Sequence, residues 1–197
     1  ISCPATIAPA TYDSALLNGW TVSGDIAVNG YFKAQSGAVA VTGDAVFAAG
    51  GATVETQSTI TFSGTTTFNG PFSRNTSYGA ENLVFGDVVV AAATTITGTR
   101  PVVFAGDVSV AAGASLTVQT DSTTVSAATF STPVADSYVK ATAGLDTTTY
   151  AVAAKQTVTV TTDAHSAVSG VADGQRFVPG DVLVITATAD AYYTATQ

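Results

Sequence analysis

The sequence predicts an all-β fold: a parallel β-solenoid of about five coils with a short β appendage. Three observations lead there. One motif recurs five times, apolar residues alternate on both sides of the glycine in each copy, and the composition suits strands over helices. The copies are Trp20-Thr-Val22-Ser-Gly24-Asp25, Val39-Ala-Val41-Thr-Gly43-Asp44, Ile60-Thr-Phe62-Ser-Gly64-Thr65, Asn82-Leu-Val84-Phe-Gly86-Asp87 and Val102-Val-Phe104-Ala-Gly106-Asp107. A degenerate sixth follows at Thr123-Thr-Val125-Ser-Ala127.

Each copy reads as strand, corner, strand. Apolar residues occupy alternate positions before the glycine, and another falls four positions after it, at Val28, Phe47, Phe68, Val90 and Val110. A glycine-rich corner (Gly50-Gly51, Gly113) then leaves room for a third short strand, such as Ala52 to Val54 or Leu116 to Val118. The glycines lie 19, 21, 22 and 20 residues apart, and a unit that short cannot bury its apolar face alone. Stacked coils about 4.8 Å apart solve that problem and create internal columns. Phe47 and Phe68 fall in one column, Phe62 and Phe104 in another. The same alternation also fits an antiparallel β-sandwich or jelly roll, with two antiparallel strands per unit.

Composition narrows the function classes. Only 10% of residues are charged against 46% hydrophobic, so Thr, Ser and backbone groups carry the solvation, and such surfaces favour strand pairing. The net charge of −8, with six scattered Lys and Arg, offers no basic footprint for nucleic acid and a poor match to anionic lipid. No stretch reaches the roughly 18 apolar residues of a membrane helix, so helical membrane insertion is not expected. The lack of Met, even at position 1, suggests an exported chain that has lost a leader. A single Cys3 rules out an internal disulfide and leaves an intermolecular bond, a lipidated thiol or a buried inert thiol.

The expected organisation is an N-terminal arm or cap (1–19), a repeat β domain (20–130), a connector (131–153) broken at Pro133 and Gly144, and a small β module (154–197). Asn69-Gly-Pro-Phe-Ser-Arg-Asn-Thr-Ser-Tyr78 reads as an excursion loop, and Asn75-Thr-Ser77 on it is a glycosylation acceptor pattern. In the last module, Thr157-Val-Thr-Val-Thr161 precedes an Asp173-Gly174 turn. A Pro179-Gly180-Asp181 turn, the run Val182 to Thr188 and Tyr192-Tyr193 follow. This order resembles the short β repeats of bacterial surface proteins, of the internalin-B or Listeria-Bacteroides type, with Ala191 where that type carries Gly. The resemblance covers roughly the last 40 residues and implies a cell-surface context without an activity. The first 130 residues resemble, more loosely, the coils of adhesin passenger regions.

Catalytic equipment is sparse. His165, in Thr161-Thr-Asp-Ala-His-Ser166, is the sole imidazole and reads as a loop residue, and Glu55 and Glu81 are the sole glutamates for a glycosidase-type carboxylate pair. No enzyme is expected. The Gly-Asp corners support a sharper idea: stacking would align Asp25 with Asp44 and Asp87 with Asp107, and calcium would relieve the repulsion between them. Turn aspartates accepting from nearby N–H groups are the simpler reading, and no other cofactor is implied. Threonine runs raise an ice-binding surface, but Thr keeps no constant place in the repeat.

The expected function is an extracellular structural subunit that self-assembles into a filament or surface layer by strand-mediated contacts. Its partner is then a further copy of itself, with Thr6, Ile7 and Ala8 between two prolines as the assembly segment. The alternative is a cell-surface adhesin or stalk fragment displaying a binding site, which allows contact with a cell surface or carbohydrate.

Overall fold

The computed structural model describes residues 5–7, 15–16, 19–34, 36–75, 82–97, 102–119, 123–124 and 129–191. The chain divides into two units: residues 1–135 with 139–152, and residues 136–138 with 153–197.

The first unit begins with β1 (Ala5–Ile7) and β2 (Ala15–Leu16). Five strand triplets follow among the described residues. They are β3 (Thr21–Val22), β4 (Ile26–Val28) and β5 (Tyr31–Ala34); β6 (Val39–Val41), β7 (Ala45–Phe47) and β8 (Ala52–Thr56); and β9 (Ile60–Phe62), β10 (Thr66–Phe68) and β11 (Phe72–Asn75). Next come β12 (Leu83–Phe85), β13 (Val88–Val90) and β14 (Thr94–Thr97), then β15 (Val102–Phe104), β16 (Val108–Val110) and β17 (Ser115–Gln119). β18 (Thr123–Thr124) and β19 (Phe130–Ser131) continue the first two sheets. Each strand pairs in parallel with its counterpart one coil away, so the three members of every triplet feed three separate sheets. Parallel pairing between residues one coil apart cannot come from hairpins, which removes the sandwich alternative.

Alternation decides what enters the core. In β6, β9, β10, β12, β13, β15 and β16 the first and third residues are buried and the middle one is not. Register then stacks like on like. Phe68 lies on Phe47 with ring centroids 5.2 Å apart and planes 18° apart, and Phe62, Phe85 and Phe104 form a second column at 5.3 and 5.7 Å.

Phe85 is a correction to the repeat as read from its glycines. That alignment placed Asn82 and Val84 inward, whereas β12 buries Leu83 and Phe85, the register partners of Ile60 and Phe62. The physical reason lies at the corner. Gly86 N–H donates to Phe62 O at 2.7 Å, the same role that Ser63 N–H plays toward Val41 O at 2.8 Å, so Gly86 occupies the position of Ser63 and not of Gly64. This corner is one residue shorter than its neighbours. Trp20 also departs from expectation: it precedes β3, the terminal strand of its sheet, and is exposed.

The segment expected to loop out at Asn69 to Tyr78 instead begins as a corner and the strand β11. Gly70 packs so closely on the preceding coil that a Cβ there would meet Ala49 O at 2.4 Å, and Phe72 is buried. The sequence marks Gly-Pro as a loop because it reads turn chemistry, while the stacking that places the corner is long-range.

Residues 131–153, read as a connector, contain β20 (Ser137–Ala143) and most of β21 (Thr147–Ala154). The chain reverses between them with Gly144 N–H donating to Thr147 O at 2.7 Å. β21 pairs antiparallel with β17, from Ser115 opposite Ala151 to Gln119 opposite Thr147. Tyr150 stacks on Phe130 at 3.9 Å, and both pack on the core.

The second unit holds two small antiparallel pairs, β22 (Gln156–Thr157) with β24 (Arg176–Phe177) and β23 (Ser166–Ser169) with β25 (Thr186–Ala189). Its turns follow the sequence. Asp181 N–H donates to Val178 O at 3.0 Å across Pro179-Gly180, with Gly180 at φ 104°, the left-handed conformation a type II turn requires at that place. Residues Val182 to Ile185 lie outside any strand. Among the described residues no helix is long and apolar enough to cross a membrane.

Candidate functional site

Four places hold the residues singled out by sequence, and the corners come first. Asp25 Oδ1 accepts the Asp44 N–H at 3.0 Å, and Asp44 Oδ1 accepts the Thr65 N–H at 2.8 Å. Asp87 Oδ1 accepts the Asp107 N–H at 3.0 Å, and Asp107 Oδ1 accepts the Thr129 N–H at 3.3 Å. Each carboxylate thus reaches one coil along the axis and bonds an amide that the corner leaves outside the sheet ladders. This is the simpler of the two readings of the Gly-Asp corners, carboxylates accepting from backbone N–H groups, with the amides supplying the positive ends that calcium would supply in the other. The ladder also breaks at Thr65, and among the described residues no group of three or more His, Cys, Asp or Glu is placed to hold a metal ion.

A second cluster sits on the outer face of the third sheet. Lys33 and Glu55 are register partners on β5 and β8, and Lys33 Nζ lies 2.6 Å from Glu55 Oε1. The Tyr31 hydroxyl donates to Glu55 Oε2. Glu55 is only 5% exposed although it faces outward. Burial pushes its pKa up, but the hydrogen bonds from Lys33 and Tyr31 and the Lys33 charge outweigh it and hold the carboxyl below its ordinary range. Sequence reasoning weighed Glu55 as half of a carboxylate pair with Glu81, which lies outside the described residues, and missed Lys33 and Tyr31. The sequence carries only a partial signal, Tyr31-x-Lys33 and Glu55 on the third strands of adjacent coils, because the register between those strands is set by the stacking.

His165 does not complete a hydrolytic triad with its neighbours. The Ser166 hydroxyl donates to Asp163 Oδ1 at 2.8 Å and not to the imidazole, and His165 Nδ1 is 3.4 Å from an exposed Asp190 carboxylate. Asp163 also accepts the His165 N–H at 2.9 Å, so this is a turn leading into β23. The Ser166 hydrogen bond, then that amide, holds the Asp163 carboxyl below its ordinary range.

The assembly segment pairs within its own chain: Thr6 lies opposite Ala27 and Ile7 opposite Val28. Ala8 and Cys3 lie outside the described residues. Asn75 ends β11, opposite Glu55, and so belongs to a sheet and not to a loop. At one end of the solenoid β1, β2 and β3 are the terminal strands of their sheets. In the second unit, Val182, Val184 and Ile185 are 89%, 75% and 47% exposed. Comparison with protein-family models, with curated proteins and with solved structures returned no match.

Proposed function

We propose that the chain is an extracellular structural subunit that self-assembles into a filament or layer through strand-mediated contacts. The observation that carries this reading is the set of three parallel terminal strands, β1, β2 and β3, each paired on one side only among the described residues. Such edges present N–H and C=O groups that another chain can pair with, and soluble proteins usually blunt them with charge. This chain has little charge to spend there, at 10% of residues. Thr6 and Ile7 serve as part of the accepting edge. The donor is the apolar run Val182-Leu183-Val184-Ile185 of the next copy, which exposes Val182, Val184 and Ile185, is free of charge and lies outside any strand. A contact between two different surfaces propagates head to tail, so it yields a polymer unless its rotation closes a ring.

Negative-stain microscopy and light scattering of the purified chain test this. The expected result is polymers from the full chain, lost on deleting residues 1–12 and in a Val182→Lys, Val184→Lys double variant that remains folded. Polymers that survive both changes would place the contact elsewhere. A full chain that stays monomeric at high concentration would replace the filament with the adhesin stalk.

A further inference from the structure

The geometry of the Lys33 and Glu55 pair asks for an explanation of its own. A lysine ammonium and a carboxylate that meet on an exposed strand face are normally kept in water, because burying two charges costs more than their attraction returns unless the surroundings are well arranged. Here the carboxylate is buried and the lysine side chain is 19% exposed. The two side chains are held by register between parallel strands, which fixes their encounter for as long as the coil exists.

We propose that Lys33 and Glu55 condense without a cofactor into a side-chain amide that clips β5 to β8. Three features of the pair favour the reaction. The nucleophilic nitrogen stands at contact distance, 2.6 Å from Oε1, so the step is intramolecular and gains the large effective concentration of a fixed pair. Burial taken by itself opposes the two charges and favours a neutral product that needs no solvation of charge, although the Lys33 and Tyr31 contacts keep the carboxyl ionised at rest. Tyr31 supplies a hydroxyl donor to Oε2, the oxygen on which negative charge develops as the carbon becomes tetrahedral.

The step balances on these groups alone. A proton passes from Nζ to Oε1, leaving a neutral amine and a neutral carboxyl. The Nζ lone pair attacks Cδ, and negative charge collects on Oε2 under the Tyr31 hydrogen bond. A second proton moves from nitrogen to Oε1, the Cδ–Oε1 bond breaks, and water leaves. One hydrogen remains on the amide nitrogen, Oε2 becomes its carbonyl oxygen, Tyr31 keeps its proton, and the two original charges have cancelled. No oxidant or reductant takes part. Because the carboxyl rests in its ionised form, the reactive neutral pair is the minor species and the bond forms slowly after folding.

The linkage would close a loop from Lys33 to Glu55 across two successive coils, a restraint on pulling them apart that hydrogen bonds cannot match. It stands or falls independently of self-assembly.

Intact mass spectrometry of the denatured full-length chain decides it. The expected wild-type mass, after the folded protein has stood at neutral pH, is lower than the sequence mass by one water, and trypsin does not cut after Lys33. Fragmentation places the bond between Lys33 and Glu55. Lys33→Arg, which keeps the ion pair but has no nucleophilic amine, restores the full mass. In Tyr31→Phe, formation after refolding slows by about 100-fold, the size expected for losing one oxyanion donor. A wild-type chain that keeps its full mass overturns the proposal even if every variant misfolds. A missing water that maps to other residues overturns it equally, and an unchanged rate in a folded Tyr31→Phe removes the tyrosine from the step.

Discussion

Replacing Phe85 with Ala tests the register of the fourth coil against the one suggested by its glycines. Phe85 is fully buried and packs against five rings: Phe62 at 5.3 Å, Phe104 at 5.7 Å, Phe68 at 5.3 Å, Phe72 at 5.9 Å and Phe47 at 6.3 Å. Truncating a buried Phe costs about 3–5 kcal/mol, and a ring packed among others in a stacked core lies near the top of that range. With about 2–4 °C per kcal/mol for a chain of this size, the melting temperature should fall by about 10–20 °C. Val84 is the control. It sits one residue earlier, on the half-buried outer face, and Val84→Ala should cost less than about 1 kcal/mol. Urea titrations followed by circular dichroism at fixed pH measure both, provided the two variants keep the wild-type denaturant slope. Equal losses, or a larger loss in Val84→Ala, would refute the assignment of Phe85 to the column between Phe62 and Phe104.

That coil also shows where sequence ceases to specify structure. Period-two alternation around a corner was enough for the three-strand coil, and the Phe47 and Phe68 pair follows directly from it. A sequence read from its glycines assumes that every glycine does the same job. The glycines at 43, 64 and 106 do share one: each lies where a Cβ would meet the backbone of the preceding corner at 2.4 to 2.7 Å, at Gly24 C, Gly43 O and Gly86 C. Gly86 is different. Its nearest neighbour would be Ser63 O at 3.0 Å, and it fills a ladder position in a shortened corner. A deletion of one residue leaves the Gly-Asp pair intact and slips everything before it, which only the neighbouring coil can reveal. The aspartates were legible as corner residues, but their donors sit one coil onward, a partner choice that local turn chemistry does not encode. Lys33 and Glu55 went unpaired in the sequence for the same reason: third strands vary in their distance from the glycine, so their register was open. In the second unit the turns were read correctly while Val182 to Ile185, rich in β-formers, lies outside the strands.

Acid should act on Glu55 before amide formation and not after it. The folded carboxyl titrates below its ordinary 4.5, so its contribution is complete above that value and is lost as the pH falls through the folded pKa. In protein of full mass, wild type should therefore lose its stability margin over Glu55→Gln below pH 4.5, while protein lacking one water should show no such loss; a margin that persists into strong acid at full mass contradicts the lowered pKa. The corner ladder gives the last expectation. Asp44→Ala removes the acceptor for the Thr65 N–H and leaves that amide to water at an exposed corner, a loss of about 1 kcal/mol or about 3 °C in melting temperature. Asp44→Asn retains a side-chain oxygen in the same place and should melt close to wild type. A calcium ladder predicts the opposite ranking of causes: both substitutions would weaken it, since an amide oxygen is a poorer ligand than a carboxylate, and chelator alone would lower the wild-type melt. Melts of the three chains with and without chelator separate the two. If chelator has no effect and Asn replaces Asp while Ala does not, the carboxylates act by hydrogen bonding between coils; a chelator-dependent wild-type melt would show that their second oxygens hold a cation after all.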